Sequence, residues 1–257
     1  MATKQIKRSA NKLCALILAL VMCVAGVGCL SGCGSNAEGY TNTAQDTSAE
    51  KPQTASGSEQ VTSFSNLKVG DTFAFGTYQD KSIGWQVLAV EDGKALVITQ
   101  EGVDVKAFND ERGEYVWKNS TLRKWLNGDF LNAAFTADQQ KLIQTTDVVN
   151  DLNPYWATGG SKNTQDKLFC LSITEAEKYF GREGDAACWP SDYASTVEGI
   201  YTNNSGQCAW WLRDAGYDVN QGESAANVDP DGFIFDSGAY VDKASYCVRP
   251  AMWVTVQ

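Results

Sequence analysis

Two tryptophans stand side by side in "AWWLR", residues 209 to 213, and that adjacency constrains the fold more than any other feature of the chain. In an extended strand successive side chains point to opposite faces, so Trp210 and Trp211 cannot form one stacking platform. At least one of them must enter a core. Arg213 falls on the side of Trp211, where packing or a buried hydrogen bond to a carboxylate is its expected role.

The first residues carry Lys4, Lys7, Arg8 and Lys12 with no acid, and fifteen nearly unbroken apolar residues follow in "LCALILALVMCVAGV". That is the pattern of an export signal. At about 1.5 Å per residue the apolar run is about 22 Å long, short of the roughly 30 Å that a permanent span must cross. Leu30, Ser31 and Gly32 before Cys33 resemble a bacterial lipobox, which makes residues 1–32 a lipoprotein signal peptide and Cys33 the lipid-modified first residue. The alternatives are an ordinary signal peptide cut nearby and a borderline transmembrane anchor. Cys14 and Cys23 lie inside the apolar run, and Cys29 lacks an apolar residue three positions upstream, so each is a poorer lipidation site. The expected location is the bacterial cell membrane, lipid-anchored on its extracytoplasmic face. Without residues 1–32 the chain keeps 17 of its 21 Lys and Arg against 31 Asp and Glu, a net charge of −14. A partner nucleic acid is therefore not expected.

Residues 33–63 are rich in Ser, Thr, Ala, Gln and Gly and poor in large apolar residues, which predicts a disordered tether. Residues 64–257 then form a single globular domain. Within it "GDTFAFGTY", "IGWQVLAV" and "KALVIT" predict an antiparallel meander, with Trp85, Val87 and Ala89 on one face and Gln86, Leu88 and Val90 on the other. Helices are expected in "NSTLRKWLNGDFLNAAF", where Gly128 stops or kinks the helix, in "TADQQKLIQ" behind Thr136 and Gln139, and in "SITEAEKYFG". The last can be capped by Ser172 with Glu175 or by Thr174 with Glu177. Short strands around 226–228, 233–235, 246–249 and 252–256 predict a small C-terminal antiparallel sheet with long loops. The fold class is thus α+β.

"NSTLRKWLNGDFLNAAFTADQQKLI", "DKLFCLSITEAEKYF", "CAWWLRDAG" and "CVRPAMWV" resemble, in that order, the landmarks of a bacterial family known as domain of unknown function 6273, over about residues 70 to 256. The last pair, bracketing a Gly and Asp hairpin, is also similar to the end of C-type-lectin-like domains, a group that includes the formylglycine-generating enzymes. That resemblance implies a C-type-lectin-like fold and leaves function open. Asp214 and Ala215 stand where "SPG" would follow "WWLR", and Cys247 replaces an apolar residue or glycine.

The chain has no histidine, which excludes Ser-His-Asp and Cys-His hydrolysis in their ordinary forms and the commonest zinc sites. Cys170, Cys188, Cys208 and Cys247 show no C-x-x-C spacing, so disulfides are the expectation for an exported chain. Cys188 with Cys208 closes a loop of about twenty residues, a constraint of roughly 3 kcal/mol, and Cys170 with Cys247 is the remaining pair. A copper-binding or redox-active pair of the formylglycine-generating type is the alternative. "YDVNQGESAANVDPDGFIFD" gathers Asp218, Asn220, Glu223, Asp229, Asp231 and Asp236; a solvated hairpin turn is the first reading and a calcium or ligand loop the second. No cofactor is otherwise expected.

The expected function is binding of an extracellular glycan or protein without catalysis. Tyr155, Trp156, Asp218, Asn220, Asp229 and Asp231 are the contact candidates, because aromatics and loop carboxylates on a rigid scaffold suit such recognition. The alternatives are an envelope enzyme, of the formylglycine-generating type or another, and a purely structural envelope module.

Overall fold

In a computed structural model, residue 51 and residues 63–217 and 223–257 are described. Cys33, Asp218 and Asn220 lie outside the described residues, as do the expected signal peptide and nearly all of the tether. No helix among the described residues is long and apolar enough to cross a membrane.

The meander forms as β1 (Thr72–Tyr78), β2 (Lys81–Glu91) and β3 (Lys94–Thr99), with Asp92 and Gly93 taking the positive φ of the tight β2–β3 turn. Strict alternation along β2 breaks at Leu88. Val87 faces Val97 and Ala89 faces Leu96, so Leu88 is an extra, bulged residue. Val87 and Leu88 are consequently both buried while Val90 is exposed.

Two short strands, β4 (Glu101–Gly102) and β5 (Asp104–Lys106), lead to the helical region. Helix α1 (Thr121–Trp125) starts at Ser120, whose hydroxyl accepts the Arg123 N–H at 3.1 Å. Gly128 does not end the helix: it sits in a π-helical turn (Leu126–Phe130) that passes directly into α2 (Leu131–Ala134). The capping box of Thr136 and Gln139 opens α3 (Ala137–Leu142). Strands β6 (Thr146–Val148) and β7 (Thr164–Asp166) then pair and close the base of the loop 149–163. Helix α4 (Ile173–Phe180) uses Ser172 and Glu175 as its box, and Gly181 at φ 73° ends it.

After β8 (Trp189–Pro190) come β9 (Trp210–Ala215), β10 (Ser224–Val228), β11 (Ile234–Tyr240), β12 (Tyr246–Val248) and β13 (Ala251–Thr255). The expected C-terminal antiparallel sheet is corrected in two ways. Its order is β11-β10-β9-β12-β5, with β5 drawn from the first half of the chain and β9 parallel to β12. Strand β13 leaves it and completes the meander sheet in the order β1-β2-β3-β13. Pro250 lies at the break, and having no N–H it cannot continue the ladder. The whole is a mixed α+β fold around one core.

Both tryptophans of β9 are fully buried, on opposite faces. Trp210 donates its indole N–H to Ala186 O at 3.0 Å, and Trp211 donates to Lys106 O at 2.8 Å while stacking on Tyr246. Arg213, 4% exposed, donates to Val149 O and Cys170 O and pairs with both carboxylate oxygens of Glu175. Next to it, Asp214 accepts the first N–H of α4, from Ile173, at 2.5 Å. Burial pushes the Asp214 carboxyl up to about 6, against the opposing pull of the Arg213 charge. A folded value above the ordinary carboxylate value of about 4 means that the native state holds this proton more tightly than the unfolded chain. The resulting stability is fully present below about pH 4 and is lost as pH rises through about 6. Asp214→Asn keeps an acceptor for Ile173 and should remove about 2 kcal/mol of that decline, read from urea unfolding of both proteins at pH 4 and pH 7.

Candidate functional site

Loop 149–163 is long and polar, yet it is held from inside by one amide side chain. Asn153, 1% exposed, donates through Nδ2 to Ala215 O at 2.7 Å and to Asp236 O at 2.9 Å. Its Oδ1 accepts the N–H groups of Tyr155 at 3.0 Å and Trp156 at 3.3 Å, an Asx turn that presents the two aromatics outward. Gly159, at φ 64°, lets the loop press against Ala215, where a side chain would collide with the Ala215 Cβ.

The aromatics meet charges from two other parts of the chain. Tyr155 donates its hydroxyl to Glu177 Oε1 at 2.6 Å, and the bond to this carboxylate pushes the phenol up from its ordinary value. Arg182 lies 4.3 Å over the Tyr155 ring and bridges Glu177 and Asp236, the latter at 2.6 Å. Trp156 donates Nε1 to the other oxygen of Asp236 at 2.9 Å, and its ring is 4.4 Å from that of Tyr217, tilted by 43°. Tyr155, Trp156 and Tyr217 remain 43–49% exposed. The result is a surface platform of three rings braced by a carboxylate–guanidinium–carboxylate bridge. Arg182 covers one face of Tyr155, and the bridge holds both carboxylates in place, which leaves the exposed parts of the Trp156 and Tyr217 rings and spare carboxylate lone pairs to a ligand.

Asp229 and Asp231 are placed in the β10–β11 turn. Asp229 Oδ1 accepts the N–H groups of Asp231 and Phe233 at 3.0 and 2.9 Å, and Asp231 Oδ1 accepts Asn203 Nδ2 at 2.7 Å. These bonds are those of a hairpin turn. Among the described residues no group of three His, Cys, Asp or Glu is arranged to hold a metal ion. Asp236 is among the acidic residues that the sequence singles out; Glu177, Arg182 and Tyr217 join the platform without a sequence signal, because the aromatics they meet lie far away in the chain.

A second concavity escaped sequence reasoning altogether. A groove of about 540 Å³ is lined by Lys106, Asp110, Lys124, Trp125 and Asp129. Lys106 Nζ lies 5.1 Å over the Trp125 ring and 3.4 Å from Asp104, which also accepts the Tyr78 hydroxyl at 2.7 Å. The ring face here is already occupied by a cation of the chain itself.

All four domain cysteines are buried free thiols, contrary to the expected pairing. Cys170 lies in the field of Arg213, and burial pushes its thiol up to about 12. Cys247 instead pairs across the sheet with Val105 and Trp210, and its sulfur lies with that of Cys208 beside Gly102. The two residues are thus committed to different surroundings.

The fold and the platform together define a mixed α+β domain with an exposed aromatic and ionic surface site. The profile of the family described as domain of unknown function (DUF6273) matches residues 92–256, well over half of the chain, and the chain belongs to that family. The match starts in the β2–β3 turn, so β1 and β2 precede it, whereas the motifs pointed to a start near residue 70. No curated protein and no solved structure matches the chain.

Asn153→Ala leaves Ala215 O and Asp236 O without their donor and should destabilise the protein by about 2 kcal/mol. The same change should speed hydrogen exchange at the Ala157 amide, which bonds to Asn153 O at 2.8 Å. Unfolding curves and exchange rates at that amide measure the two effects.

Proposed function

We propose that this protein is a lipid-anchored extracytoplasmic binding protein whose domain, of C-type-lectin-like type, holds a glycan without turning it over. The platform of Tyr155, Trp156 and Tyr217, rimmed by Glu177, Arg182 and Asp236, carries the reading. Exposed rings stack on the apolar faces of sugars, and carboxylates and a guanidinium accept and donate to their hydroxyls. Pre-organisation by Asn153 and the Arg182 bridge lowers the ordering cost on binding. The "WWLR" and "VRPAMW" strands support the lectin-like assignment, and the pattern around Cys33 supports the anchor. The absence of histidine speaks for binding over hydrolysis.

In a screen of glycans and cell-wall fractions, the full-length protein should bind a glycan, and Trp156→Ala should weaken that binding at least tenfold, a loss of about 1.4 kcal/mol. Binding of protein fractions alone would overturn the glycan reading; glycan binding that is indifferent to Trp156→Ala would move it away from the platform. Separately, Cys33→Ser should abolish metabolic lipid labelling and release the protein from membranes. Unchanged labelling refutes the anchor.

A further inference from the structure

The platform holds two carboxylates but one guanidinium. Arg182 bonds Glu177 through Nη1 and Asp236 through Nη2, so a single positive charge serves two negative ones and the cluster keeps a surplus negative charge. Among the described residues Arg182 is the only cation within ion-pair distance of either carboxylate. Lys178, the next cation along α4, lies instead 4.9 Å over the Tyr179 ring.

The carboxylate oxygens are not equally engaged. Asp236 uses both, Oδ1 for the Trp156 indole N–H at 2.9 Å and Oδ2 for Arg182 at 2.6 Å. Glu177 takes both of its side-chain bonds, from the Tyr155 hydroxyl and from Arg182, on Oε1. Its Oε2 has no partner among the described residues, and a quarter of the side chain is open to solvent, at 25%. The surplus charge therefore has an accessible acceptor atom at the rim of the rings.

The rings place a ligand next to that rim. Trp156 turns its N–H edge toward Asp236, and Tyr155 turns its hydroxyl toward Glu177. A sugar lying on the exposed part of Trp156 or Tyr217 brings the substituents of its own rim to the carboxylates. An ammonium there donates charge-assisted hydrogen bonds to a carboxylate and is also attracted to the aromatic faces. Acetylation of that amine removes the charge, and a carboxylate on the sugar is repelled. The wider field has the same sign, since the chain after residue 32 carries a net charge of −14.

We propose that the platform is selective for glycans with a free, positively charged amino group, unacetylated hexosamines, and that Glu177 determines this selectivity. The proposal rests on the reading of the platform as a glycan site and adds the charge class of the sugar. Arg182 acts as a positioning residue that holds the two carboxylates at the ring edges.

The full-length protein is titrated calorimetrically at about pH 6, where carboxylates are ionised and a sugar amine is charged, with short oligosaccharides of glucosamine, of N-acetylglucosamine and of glucuronic acid. The glucosamine oligomer should bind about fivefold more tightly than the N-acetylated one, and the acidic one most weakly. That preference should shrink in about 1 M salt, where the Debye length is about 3 Å. Glu177→Gln retains the Oε1 acceptor for Tyr155 and Arg182 and removes the charge, so it should bring the glucosamine and N-acetylglucosamine affinities within about twofold of each other. Equal or tighter binding of the N-acetylated or acidic oligomer overturns the selectivity; if that binding is lost in Trp156→Ala, the glycan reading of the platform stands without it. Glucosamine binding that is indifferent to Trp156→Ala is adsorption to an acidic chain at large and overturns both. Binding of none of the three overturns the selectivity, and the glycan screen then decides the platform alone. Where Glu177→Gln does not fold, the wild-type preference decides: it must shrink in salt and depend on Trp156, and persistence in high salt sinks it.

Discussion

The buried guanidinium of Arg213 is the interaction on which the rest of the domain depends. From the middle strand of the larger sheet it reaches the start of loop 149–163 through Val149 O, the segment before α4 through Cys170 O, and α4 itself through Glu175. Desolvating such a charge costs several kcal/mol, and only a full set of acceptors offsets it. Glu175 serves twice, since one oxygen that receives Arg213 also accepts the Ser172 N–H of the capping box. Helix initiation and the burial of Arg213 are thereby one event. Asp214, on the neighbouring position, adds the bond to Ile173 and fixes the helix from the other side of the strand.

That arrangement explains why the surface platform is rigid although most of it is loop. Arg213 holds the loop where it begins, the β6–β7 ladder closes its base, and Asn153 holds its tip to β9 and β11. Helix α4 brings Glu177 to the same place, and the chain just past its end brings Arg182. Strand β11 contributes Asp236. Two segments remote in sequence, residues 177–182 and β11, thus converge on Tyr155 and Trp156.

The two tryptophans of β9 have no share in that surface. They seal the sheet on its two faces, Trp211 against Tyr246 and Phe108, and Trp210 against Phe180 and Arg249. The segment that marks the family most visibly is therefore scaffold, and recognition is displaced to the loops around it.

The sequence by itself determined what depends on near neighbours in the chain. It settled the opposite faces of Trp210 and Trp211, the meander, the capping box of Thr136 and Gln139, and the outward-facing aromatics of the long loop, and it narrowed the start of α4 and the turn at Asp229 and Asp231 to two readings each. These follow from strand alternation, side-chain to backbone bonds over three residues and turn chemistry, all of which act locally. Only the tertiary structure decided the bulge at Leu88, the departure of β13 to the first sheet, the parallel β9–β12 pair, and which carboxylates meet Arg182 and Arg213. It also set Cys247 beside Cys208 and away from Cys170. Those outcomes depend on contacts between residues tens of positions apart, for which composition and spacing offer many near-equivalent partners and only packing selects one.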